Sequence, residues 1–276
     1  MSAEGGSRRF EPPARLRDVV EHATVVWRTG GTREVLLPDV RGSVVVVAGT
    51  AAVVTNPLTG DSADEVSSVR GPALDLLVRQ TTGPGVCLAV ELTPVGLPRL
   101  CQRRPVPRGP LAATTLFRPA EIDEITHRLD TEDIAGALAA TWAAIDRLPR
   151  QDVGDGDLLA QALGVAEAKR GVVRLVDLAH EVGVPVAKLH RWCLDLLGAD
   201  PCSWLSAVRF TSFVRDRVGL GPVRPDQPVR LDQMVATLRW YLQAGYSPRE
   251  TERFTGLPVA ELRRLAERLE LAAAPL

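Results

Sequence analysis

The chain reads as an α+β protein in two parts, β-rich first and all-α last. Three observations support this. The first 112 residues hold short runs dense in Val, Leu and Thr, separated by Gly, Pro, Asn and Asp. Beyond them the apolar residues recur every three or four positions, the period of a helix with one buried face. Around Gly183 two such helices are short and meet at a turn. At 276 residues the chain has room for two cores.

The strands are expected in the runs VEHATVVWR, REVLLPD, GSVVVVAGTAAVVT, ALDLLVRQTT and GVCLAVELTP, at the spacing of a sandwich or barrel. Val44 to Val47 are apolar on both alternating faces, which predicts a central strand covered on each side. In the last run Cys87, Ala89 and Glu91 face opposite to Val86, Leu88 and Val90. This β-rich part is assigned to residues 1–112.

Residues 113–156 read as a helical linker region. One stripe holds Ile122, Ile125 and Leu129, and a second holds Ile134, Leu138, Trp142 and Ile145. LPRQDVGDGD is a connection by its Pro, Gly and Asp content. DLLAQALGVAEAKRG opens the third part, 157–276. The middle is acidic: residues 120–170 carry 5 basic and 11 acidic side chains.

In the third part, Leu175, Leu178, Ala179 and Val182 form one stripe and Val186, Leu189, Cys193 and Leu196 the next. Gly183 stands where the turn needs positive φ. This is the pattern of a helix-turn-helix, and also of an ordinary αα-hairpin with solvated charges. Burying the second stripe turns Ala187, Lys188, Arg191 and Asp195 outward, with His190 and Trp192 on the flanks. In a helix-turn-helix Lys188 and Arg191 would lie near the end that reaches base edges.

The wider string resembles the first helix-turn-helix of AraC/XylS-type transcriptional regulators. The matching residues are Leu178, Ala179, Gly183, Val184, Leu189, Arg191, Gly198, Pro201, Trp204, Leu205 and Arg209. The chain departs from the family at Pro185, where a capping Ser or Thr is usual. The resemblance implies DNA binding through Val186, Ala187, Lys188, His190 and Arg191, with Arg174, Arg209, Arg263, Arg264 and Arg268 touching phosphates or stabilising helices by pairing with nearby acids. It also implies a second helix-turn-helix at 231–270, where Gly245, Tyr246 and Ser247 match and the later positions do not. Read from its residues, that segment has Ser247 capping a helix begun by Pro248, a turn at Thr255, Gly256 and Leu257, and a helix burying Leu262, Leu265, Ala266 and Leu269. A unit that merely braces the first motif fits the same pattern. The Pro- and Gly-rich residues 219–231 interrupt what the family builds as a continuous linker helix.

Leu37, Pro38 and Asp39 before a Val-rich strand, then Val90, Leu92, Pro94 and Gly96, resemble the sensor part of one AraC-type subgroup. That implies a cupin-like barrel, a small-molecule effector and a homodimer. Leu138, Trp142 and Ile145 are the dimer candidates, packing on the barrel being the alternative.

Several classes are excluded or unsupported. No run of eighteen apolar residues exists for a membrane span, and the amino terminus lacks an apolar core, so a cytoplasmic protein is expected. Cys87, Cys101, Cys193 and Cys202 form no CxxC, which fits reduced thiols. His22 is the only histidine up to residue 112, too few with Asp39 and Glu91 for a metal cupin. No nucleophile elbow, phosphate loop or paired carboxylates appear, so neither catalysis, metal nor cofactor is expected. The formal charge is −1, and residues 171–276 carry 14 basic against 12 acidic groups, a weak bias toward DNA. A DNA-binding-deficient interaction protein and a cupin-like small-molecule binder or enzyme remain the rival readings.

Overall fold

The computed structural model describes residues 6–101, 109–220 and 228–273. Its β-rich part is two antiparallel sheets. Strands β1 (Gly6–Phe10), β2 (Val20–Arg28), β4 (Ser43–Gly49), β7 (Ser68–Arg70), β9 (Gly85–Leu92) and β10 (Pro110–Ala112) form one, in the order β1-β2-β9-β4-β7-β10. The other joins β3 (Arg33–Leu36), β5 (Val53–Thr55), β6 (Ser62–Asp64), β8 (Leu77–Gln80) and β11 (Val229–Arg230), in the order β11-β3-β8-β5-β6. The strand-bearing runs are where the alternation placed them. The closed barrel is not: the sheets stay separate, because neither outer strand of one pairs with the other sheet.

β4 sits between β9 and β7 with Val44, Val45 and Val46 buried, as a strand apolar on both faces requires. One face of this sheet packs against α1 (Gly96–Leu100), α2 (Pro119–Asp130) and α3 (Ile134–Asp146). α1 starts where only glycine fits, since a Cβ on Gly96 would lie 2.2 Å from the Val19 carbonyl oxygen. Asp133 caps α3 by accepting from Gly136 N at 2.9 Å. Leu138, Trp142 and Ile145 are 8%, 8% and 0% exposed within this core. The dimer assignment to that stripe is therefore corrected. The same apolar spacing serves a core as well as an interface, and here the chain's own core covers it.

The remaining helices are α4 (Gly156–Ala168), α5 (Leu175–Glu181), α6 (Val186–Leu197), α7 (Pro201–Arg217), α8 (Leu231–Gln243), α9 (Pro248–Thr255) and α10 (Val259–Ala273). α4 to α7 close a core that also takes Val40, Leu74 and Val95 from the β-rich part. α7, α8 and α10 close another with Val35, Leu76 and Val78. β11 comes from the helical part yet pairs with β3, Val229 opposite Val35 and Arg230 opposite Glu34. Of the Pro- and Gly-rich segment, residues 221–227 lie outside the described residues. No helix among the described residues is long and apolar enough to cross a membrane.

Candidate nucleic-acid interface

α5 and α6 meet at Gly183, whose φ is +69°. A Cβ there would meet nothing within 4 Å, so the backbone conformation alone favours glycine. The turn closes with Val184 N donating to Ala179 O at 2.9 Å. α6 ends at Gly198 in the left-handed conformation, and Asp200 then caps α7 by accepting from Cys202 N and Ser203 N at 3.0 and 2.9 Å.

Leu189, Cys193 and Leu196 seat α6 in its core. Burial, then the charge of Asp200, pushes the Cys193 thiol up to about 12, so it acts as a small apolar group. The opposite face is open: Val186, Ala187, His190, Arg191, Leu194 and Asp195 are all exposed. Pro185 supplies no side-chain cap to the amino end of α6, whose first N–H groups suit an anionic oxygen.

Not every expected reader is on offer. Lys188 is half-buried, its Nζ 2.7 Å from the Asp155 carboxylate at the start of α4 and 5.0 Å from the centre of the Trp192 ring. Arg174 is exposed and held by Asp177 through two bonds of 2.6 and 2.7 Å.

Arg209 is corrected from a phosphate contact to an internal clamp. Its Nη2 and Nε donate to the Gly171 carbonyl at 2.9 and 3.3 Å, and Nη1 to the Glu252 carbonyl at 3.5 Å. It thereby ties α7 to the turn before α5 and to α9. The turn is close by necessity, because a Cβ on Gly171 would lie 2.5 Å from Leu205 O. An arginine on an amphipathic helix carries no sequence signal that distinguishes carbonyl from phosphate acceptors.

The second unit follows its residue-level reading. Ser247 and Glu250 form a capping box at α9: Glu250 Oε2 accepts from Ser247 N at 2.9 Å and Ser247 Oγ from Glu250 N at 3.3 Å. Gly256 turns at φ +73°. Leu262, Leu265, Ala266 and Leu269 of α10 are buried, while Arg263, Arg264 and Arg268 are exposed beside Glu267.

Sequence reasoning missed a second charged cluster, inside the β-rich part. Arg28, Arg70 and Arg79 converge on Glu65 at 2.6, 2.9 and 3.1 Å. Burial opposes the Glu65 charge, but Arg79, Arg70 and Arg28 outweigh it and hold the carboxyl down at about 2. The available signal was arginine inside Val-rich strands. His22 is buried within β2, and Asp39 accepts from Arg41 N at 2.9 Å, a turn role. No group of three or more His, Cys, Asp or Glu among the described residues is placed to hold a metal.

No family model matches the chain, and no curated protein is similar to it in sequence. Among solved structures it is similar to ToxT from Vibrio cholerae, at 7% identity and a TM-score of 0.39, over 90% of this chain and 93% of that one. It is similar to ToxT from V. cholerae strain SCE256 with an unsaturated fatty acid bound, at 9% identity and a TM-score of 0.39, over 94% and 96%. Similarity to the AraC-like transcriptional activator CuxR is at 9% identity and a TM-score of 0.25, over 85% and 100%.

Proposed function

We propose that this chain is a DNA-binding transcriptional regulator of the AraC type, with α6 as its principal reader and the β-rich part as a small-molecule sensor. The observation that carries this is the open face of α6. Its opposite face is fully seated, Pro185 gives its amino end no side-chain cap, and His190 and Arg191 stand outward. An open face of this kind suits a major groove, and arginine suits the two acceptors of guanine. Arg263, Arg264 and Arg268 on α10 add exposed positive charge for a second contact. The rival reading, an interaction protein on this fold, is favoured by Lys188 being held by Asp155 and by Asp195 and Glu267 lying among the outward charges.

A gel-shift titration on promoter fragments neighbouring the coding gene tests both. Wild type should bind with affinity that falls steeply as salt rises. Arg191→Ala should lose about 1–3 kcal/mol on the preferred fragment, roughly 5- to 150-fold. A variant that binds as tightly and as selectively as wild type removes α6 as reader. Absence of binding to any duplex at low salt leaves the interaction protein.

A further inference from the structure

The two sheets enclose a cavity of about 170 Å³ whose walls differ from a sandwich core. The outer face of the six-stranded sheet is apolar, with Val25, Val44, Val46, Leu88 and Val90 under the helices. The alternate residues face inward and give the cavity Thr24, Arg28, Ser43, Arg70, Cys87 and Glu91. The other sheet adds Val35, Leu77 and Arg79. Sheets that had only to pack on each other would fill this layer with large apolar side chains.

The charges at the Arg28 end do not balance. Arg28, Arg70 and Arg79 share Glu65, which stands behind the wall, and Arg79 also reaches Glu34 at 3.4 Å. Three guanidinia thus face two carboxylates. The Arg28 side chain is 3% exposed, and its Nε and Nη2 find no hydrogen-bond acceptor among the described residues. Buried donors of a charged group left unpaired are costly, and an oxyanion is what a guanidinium fork fits. Of the other acids lining the cavity, Asp75 is exposed and Asp39 belongs to a separate cluster. Arg41 takes Glu21 and Glu167 at 2.8 and 2.9 Å, and Asp39 accepts from its backbone. Burial, with the charges of Asp39 and Glu21, pushes the Glu91 carboxyl well up against the pull of Arg41 and Arg70.

We propose that this inter-sheet cavity binds a small organic anion, its carboxylate taken by Arg28, Arg70 and Arg79 and its body lying against Val26, Val45 and Leu77. The volume is close to the roughly 150 Å³ that holds benzene in an engineered cavity, which selects a single-ring or short-chain acid. The proposal rests on the sensor half of the reading above and is independent of DNA binding.

Calorimetry and thermal melts on the full chain, without DNA, test it with benzoate, butyrate, their neutral amides and inorganic phosphate. One or both carboxylates should bind and raise the Tm, and benzamide and butyramide should do neither. Arg28→Gln should weaken binding tenfold or more. Ala89→Leu fills the cavity from β9 and leaves every charge in place, so it should abolish binding even if Arg28→Gln does not fold. Carboxylate binding unchanged in both variants overturns the site, as does failure of both carboxylates to bind. Phosphate binding as tightly as the carboxylates overturns the organic part. Loss of promoter recognition beside intact carboxylate binding counts against the regulator alone.

Discussion

Glu65 is the anion on which three arginines depend, so replacing it should be among the most damaging single changes in the β-rich part. Its carboxyl is held at about 2 against an ordinary 4.5. At about 1.4 kcal/mol per tenfold, that depression is worth about 3 kcal/mol of folding free energy at neutral pH. An independent route gives a similar figure: removing one partner of a buried ion pair costs about 3–5 kcal/mol, since the remaining charges stay buried. Glu65→Gln keeps the shape and removes the charge, so urea unfolding at pH 7 should show it about 3 kcal/mol less stable. The sign with pH is fixed. A depressed carboxyl contributes fully above its unfolded pKa near 4.5 and loses that contribution as pH falls toward 2. Wild type should therefore approach the variant across that window, because protonated Glu65 resembles glutamine. A gap under about 1 kcal/mol at pH 7, or one that stays constant down to pH 2, would refute the reasoning.

Two further outcomes concern the helical part. Arg209→Ala should cost about 1–3 kcal/mol in denaturant unfolding through lost bonds to Gly171 and Glu252. It should leave the slope of log affinity against log salt unchanged, whereas a slope lower by about one would return Arg209 to the phosphates. Gly183→Ala meets no steric neighbour but must hold φ +69°, so it should lose about 1–2 kcal/mol of stability in thermal unfolding. No loss would mean that the α5–α6 turn adopts another conformation.

What was legible in the sequence was whatever has a period. Val20–Arg28 and Gly85–Leu92 alternate, and they are strands; Leu262, Leu265, Ala266 and Leu269 repeat at helical spacing, and they are buried. Special backbone needs were legible too, since Gly183 and Gly256 both carry the positive φ their turns require. Short strands such as β6, β7 and β10, three residues each, are too brief to show alternation and were missed. Partner choice was the other blind spot. Leu138, Trp142 and Ile145 form a stripe whether a sheet or a second chain covers it. Lys188 projects from α6 in either case, but only the fold brings Asp155 to it.

The division into parts illustrates the same limit at larger scale. By period, strands give way to helices near residue 113, and the packing reaches across that change. The α4–α7 core takes in Val40, Leu74 and Val95, and the α7, α8 and α10 core takes in Val35, Leu76 and Val78. Val35 lies on β3, the strand that also receives β11 from between the two helix-turn-helix units. Each unit therefore buries part of its apolar face against the β-rich part as well as against its own helices. α7 alone need not hold their spacing, because the five-stranded sheet fixes one unit through β11 and the residues flanking β3 and β8 touch the other. Arg41 shows the electrostatic version: it borders the inter-sheet cavity and binds Glu167 of α4, whose first turn follows the Asp155 that holds Lys188. Ion pairs at the two ends of α4 thus join the cavity wall to α6.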